Sequence, residues 1–143
     1  MKLFISDIKY AKESLNNFDY VISILDEDTI FPSLDKKKHL KLFVNDITYS
    51  NDTELLSTLV ETVVDWSQRI PEDAKVLVHC HMGISRSPAT AIVLLLSKGY
   101  TIDQAINCVF DIRPFAFPNK IIIKTTDDYF KLNGELIHKI NNR

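Results

Sequence analysis

The sequence lacks most of the features that would take a chain out of ordinary globular chemistry. Its longest unbroken apolar run, Ala91 to Leu96, is far short of the roughly 20 residues a helix needs to cross a bilayer, so no transmembrane helix is expected. Leu3-Phe4-Ile5, between Lys2 and Ser6-Asp7, is too short for the apolar region of a secretory signal, which makes the cytosol the default compartment. Charge of one sign is also missing. Seventeen Lys and Arg against nineteen Asp and Glu leave a net charge of −2, which argues against a nucleic-acid or membrane-surface partner and leaves any bound anion to be held by local geometry. The two cysteines, Cys80 and Cys108, do not make a disulfide framework, and in a reducing compartment a Cys beside a His reads as a reactive thiol. There is no repeat, low-complexity tract or interdomain linker. What is present, 143 residues with 45% hydrophobic and 25% charged, suits one domain over 1–143 that buries roughly 68–70% of its unfolded surface.

The apolar patterning alternates strands with helices. Lys2–Ile5 reads as a strand, followed by a helix capped by Ser6 or Asp7 with Ile8, Ala11 and Leu15 at helical spacing. Residues 19–25 are nearly all apolar and β-branched or aromatic, as in a strand buried on both faces. His39–Val44 is a third strand, and Asp52 or Thr53 caps a long helix through Gln68 with a broad apolar face. Lys75–His79 is a fourth strand. Ser87-Pro88 opens a helix that runs to Lys98 with Gly99 beyond its end, and Thr101 with Gln104 makes a capping box for a helix over 102–111. The segment from Pro118 reads as one final helix with Gly134 as its weak point, although Ile121-Ile122-Ile123 alone suits a strand. These elements predict an α/β fold: a mostly parallel central sheet of about four strands flanked by helices. Ligands in such sheets collect at the carboxyl ends of strands. The segment Cys80 to Arg86 sits at that place.

His79-Cys80-His81-Met82-Gly83-Ile84-Ser85-Arg86 fits His-Cys-x5-Arg, lying in order between a strand and a helix N-terminus. Such a loop, from His81 through Met82, Gly83, Ile84 and Ser85 to Arg86, can turn its N–H groups onto a tetrahedral oxyanion, backed by the positive end of the helix. Gly83 permits the turn. Arg86 supplies a planar fork for two oxygens, which a Lys does not. The same field favours a Cys80 thiolate, a nucleophile facing a bound phosphate. His79, the last strand residue, is expected to point away from the anion and to support the loop by hydrogen bonds.

These residues, with Ser87-Pro88 after them, resemble the cysteine-dependent protein tyrosine phosphatases, and the short chain resembles the dual-specificity branch or its compact bacterial relatives. The likeness extends to Asn45-Asp46-Ile47 after the third strand and to Pro118-Asn119. It implies a phosphatase fold and hydrolysis of phosphotyrosine in proteins or peptides, with phosphoserine and phosphothreonine as further candidates, through a phosphocysteine intermediate and with no cofactor or metal. Phosphoryl transfer to a thiolate still requires an acid for the leaving oxygen. In similar enzymes this is an Asp some thirty residues before the Cys. Asp46 lies in that window directly after a strand, with an Asx turn as its other explanation. Asp52 is the second candidate, although its position suits helix capping. By the same resemblance Ser87 hydrogen-bonds the thiolate and helps it leave, and Asn119 holds the loop from outside or caps the last helix.

Other readings of the same residues remain open at this point. His79-Cys80-His81 with His39 and His138 invites a metal site, but adjacent residues on a strand point apart and no zinc-like interval is present. A rhodanese-like or arsenate-reducing loop also cradles an anion beside a Cys, and a phosphate-binding module without catalysis is the third reading. Lys36-Lys37-Lys38 suits an acidic peptide or simple solvation. Phe115 and Phe117 suit either the site entrance or core packing, and Cys108 suits core packing.

Overall fold

The computed structural model of the protein describes residues 1–35, 37–46 and 53–143. Lys36 and Asp52 therefore lie outside the described residues. The strands are β1 (Lys2–Ser6), β2 (Tyr20–Leu25), β3 (His39–Phe43) and β4 (Lys75–His79), in the spatial order β1-β4-β2-β3. All three pairings are parallel, as the run of apolar residues in β2 and β4 anticipates for strands covered on both faces. The helices are α1 (Ile8–Ser14), α2 (Thr53–Ser67), α3 (Arg86–Ser97), α4 (Ile102–Ile112), α5 (Lys120–Tyr129) and α6 (Glu135–Asn141).

Strand parity divides the core. Ile22, Ile24, Val76 and Val78 face one side, where α3 is buried along most of its length and Leu56, Leu59, Val60 and Val63 of α2 pack with them. Each such side chain contributes about 1.5–3 kcal/mol by leaving water. Val21, Leu25 and Leu77 face the other side, against Ala11 of α1 and Leu15, Phe18 and Phe31. Local chemistry ends the helices where expected. Asp7 Oδ1 accepts from the Tyr10 N–H at 2.9 Å to cap α1. Thr101 and Gln104 form the reciprocal capping box of α4 at 3.0 and 3.2 Å.

The expectation of one helix after Pro118 is corrected: α5 and α6 are separate. Lys131, Asn133 and Gly134 have φ of 54°, 57° and 82°, a left-handed stretch no α-helix can contain. Buried Asp127 holds the break, its Oδ1 accepting from Gly134 N–H at 2.7 Å and its Oδ2 from Leu136 N–H at 3.0 Å. A carboxylate on the first N–H groups of α6 replaces the cap that Gly134 cannot supply.

Candidate active site

Parallel strands deliver all their carboxyl ends to one edge of the sheet. Ser6 ends β1, Asp26 follows β2, Val44 to Asp46 follow β3, and the loop from Cys80 follows β4, which lies between β1 and β2. Residues far apart in sequence converge there on Cys80.

Cys80 is buried, at 2% exposure. Its Sγ accepts from the Gly83 N–H at 3.2 Å and lies 3.2 Å from Ser87 Oγ. Once the sulfur is ionised, the Ser87 hydroxyl can only donate to it, so two donors and the N-terminus of α3 meet the negative charge. Gly83 has φ 70°, and a Cβ there would stand 2.6 Å from the Ser6 carbonyl carbon and 2.6 Å from Arg113 Nη2. Only glycine satisfies both the turn and the close approach. Arg113 in turn donates from Nε to the Gly83 carbonyl at 2.9 Å and from Nη2 to the Met82 carbonyl at 3.3 Å. Phe117 N–H donates to the Ile84 carbonyl at 2.7 Å and Ile8 N–H to that of His81 at 3.1 Å. With its carbonyls tied outward in this way, the loop is rigid before any ligand arrives.

Arg86 reaches back across the loop mouth with 4% of its surface exposed. Its Nη1 donates to Asp26 Oδ1 at 2.7 Å and to the Val44 carbonyl at 2.8 Å. The opposite edge of the fork carries Nε, which is buried and has no hydrogen-bond partner among the described residues. A buried N–H left unpaired costs about 1–3 kcal/mol, more on a charged group, and an oxyanion on that edge removes the cost.

Asp46 stands at the rim, where its Oδ1 accepts from Ser85 Oγ at 2.8 Å and from Asn119 Nδ2 at 2.9 Å. Asn119 Oδ1 caps α5 by accepting from Ile121 and Ile122 N–H, each at 3.0 Å, and its own N–H donates to the Ser85 carbonyl at 3.0 Å. His79, wholly buried, turns away from the loop mouth to Ser23 Oγ at 2.6 Å, and its Nδ1 lies 3.2 Å from the Cys80 carbonyl. His81 Nε2 accepts from the Asp26 N–H at 3.1 Å. Cys108, on α4, is half-buried away from this cluster, and burial pushes its thiol upward in pKa. Phe115 and Phe117 are 60% and 66% exposed, which sets core packing aside. His138 lies on α6, where its carbonyl accepts from Asn142 Nδ2 at 2.8 Å.

Two site residues, Asp26 and Arg113, escaped the sequence. For Asp26 a signal existed, since it directly follows a buried strand just as Asp46 follows β3.

A parallel α/β sheet with a buried cysteine in an anion cradle, an arginine across the mouth and a carboxylate at the rim defines a class of cysteine-dependent phosphatase folds. The family model for the dual specificity phosphatase catalytic domain matches residues 5–131, and the chain belongs to that family. It is 28% identical to the tyrosine-protein phosphatase yvh1 of Schizosaccharomyces pombe over 141 residues, covering 94% of this chain and 41% of that protein. With human Slingshot homolog 2 it shares 27% identity over 112 residues, 77% of this chain and 8% of the other. The chain thus spans less than half the length of these relatives. The crystal structure of human DUSP28 shares the fold at a TM-score of 0.67, with 20% identity and 92% of each chain covered. Among the described residues no helix is long and apolar enough to cross a membrane.

Proposed function

We propose that the chain is a single phosphatase domain that hydrolyses phosphate monoesters in proteins, phosphotyrosine first and phosphoserine or phosphothreonine as well, through a phosphocysteine at Cys80. The observation that carries this reading is the buried Nε–H of Arg86, without a hydrogen-bond partner among the described residues, on the edge of the fork turned from Asp26. That donor awaits an oxyanion in the same loop that holds the thiol. Exposed Met82, Phe115 and Phe117 beside the loop support an aromatic ester by offering it apolar surface. A reducing, cytoplasmic setting keeps Cys80 a thiol.

In the first step the Cys80 thiolate attacks phosphorus in line, the bond from phosphorus to the ester oxygen breaks, and Asp46 gives that oxygen a proton. Among the described residues both donors to Asp46 fall on Oδ1, which leaves Oδ2 for the proton. In the second step ionised Asp46 takes a proton from water as the water attacks phosphorus. The bond to sulfur breaks, the Ser87 hydroxyl receives the returning thiolate, and inorganic phosphate leaves. Arg86 follows the equatorial oxygens through both steps. Loop N–H groups of His81 to Ser85 complete the cradle. A bell-shaped pH profile follows from a nucleophile that acts deprotonated and an acid that acts protonated.

Hydrolysis of para-nitrophenyl phosphate with EDTA present, at about pH 5.5 to 8, tests the proposal. Activity is expected in the wild type and absent in Cys80→Ser. An inactive but folded and reduced wild type would overturn it.

A further inference from the structure

Ser23, His39 and His79 form a polar cluster on the sheet face that otherwise presents Val21, Leu25 and Leu77. Ser23 lies opposite His79 in the β2–β4 pairing, and His39 enters one pair away, opposite Val21. The three side chains therefore share a face. Phe31 covers them, its ring 4.8 Å from that of His79 and 6.1 Å from that of His39.

The hydrogen bonds of this cluster have a direction that a backbone N–H dictates. Leu34 N–H donates to His39 Nδ1 at 3.1 Å, so that nitrogen is the unprotonated one. A neutral ring then carries its proton on Nε2, which lies 2.8 Å from Ser23 Oγ and donates to it. The Ser23 hydroxyl, already accepting on that side, donates to His79 Nε2 at 2.6 Å. His79 is left with its proton on Nδ1, aimed at the Cys80 carbonyl at 3.2 Å. Every donor in the chain meets an acceptor, and reversing any one link leaves a buried atom unpaired. Both rings stay neutral at working pH. Burial chiefly brings His39 to a pKa of about 4, with Lys41 on β3 and His79 adding to it. His79 also falls to about 4, chiefly by burial and further through His81, while the Cys80 carbonyl and Asp7 pull the other way.

We propose that Ser23 and His39 are positioning residues for Cys80: they lock His79 in the tautomer that keeps an N–H, not a lone pair, against the Cys80 carbonyl. This deepens the phosphatase reading and rests on it for its kinetic consequence. Without Ser23, the His79 Nε2 loses its donor, and only the longer contact of Nδ1 with the Cys80 carbonyl, at 3.2 Å, still orders the ring. With one of its two anchors gone the ring is free to turn, the peptide that opens the loop swings, and the thiolate loses alignment with its donors. The chain also ties the β2–β3 connection, through Leu34, to the start of the loop.

Long-range nitrogen–proton correlation NMR on the wild-type protein reads the tautomers without any variant. The expected result is opposite tautomers, His39 protonated on Nε2 and His79 on Nδ1; the same tautomer in both rings would overturn the proposal. In a Cys108→Ser background, Ser23→Ala is expected to react with iodoacetamide about tenfold more slowly near pH 6. Its kcat on para-nitrophenyl phosphate should fall about tenfold at nearly constant KM, and Ser23→Thr, which keeps the hydroxyl, should recover most of the loss. Folded Ser23→Ala with wild-type alkylation would refute the positioning role. If Ser23→Ala does not fold, the wild-type tautomers decide. Tautomers and alkylation are read even if the enzyme hydrolyses nothing, so failure of the phosphatase reading stays separate.

Discussion

Mild acid is expected to destabilise this protein through two particular rings. His39 and His79 titrate near 6.5 in the unfolded chain but at about 4 when folded, because burial disfavours their charged forms. Between those values the unfolded state binds more protons, so stability rises with pH and is lost as pH falls from 6.5 toward 4. Two and a half units of depression would cost about 3 kcal/mol per ring if fully expressed. From pH 7 to 5.5 the loss is about 1 kcal/mol per ring, hence about 2 for the pair. Urea denaturation at the two pH values measures this directly, as a midpoint lower by about 1 M at the acid value for a slope typical of a small protein. His39→Phe removes one of the two titrations, so its pH sensitivity over that interval should be about half. A wild-type midpoint constant from pH 7 to 5.5, or an undiminished sensitivity in His39→Phe, would refute the assignment of these rings as buried and neutral.

Ser87→Ala removes a hydroxyl 3.2 Å from the Cys80 sulfur. Loss of a hydrogen bond to a charged group, about 1.5–3 kcal/mol, should slow thiolate departure at least tenfold and reveal a pre-steady-state burst of nitrophenol. Gly83→Ala sets a Cβ 2.6 Å from backbone at a left-handed φ, and kcat/KM is expected to fall about a hundredfold or more as the loop shifts; near-normal turnover would contradict the packing described. Asp26→Asn keeps an oxygen for Arg86 Nη1 but removes the charge. Because Asp26 is half-exposed, the expected loss in kcat/KM is only severalfold, whereas Asp26→Ala should lose about tenfold.

Much of the site was legible because its key parts are local. The strand, the loop and the helix from Lys75 to Ser97 are contiguous, so the order of residue types alone implies a cradle with a sulfur at its base. The Thr101–Gln104 box and the Asp7 cap are local for the same reason. Asp46 was reachable by distance along the chain and by its place at a strand end. Asp26 carries the same strand-end signal, but its contact with Arg86 depends on β4 lying beside β2, a pairing that no local pattern encodes. Ser23 and His39 were hidden likewise, because only the register of three strands brings their side chains onto one face. The final helix was misread because helical periodicity survives across the break at 130–134, where the deciding partner, Asp127, acts through its side chain.

The central claim is a covalent phosphate on Cys80. Rapid quenching of the Ser87→Ala variant during turnover of a radiolabelled phosphotyrosyl peptide measures it most directly. The account predicts close to one phosphate per chain, held on Cys80 and missing when Cys80 is also replaced by Ser. Turnover without any labelled enzyme, or label that persists in the Cys80→Ser variant, would contradict it.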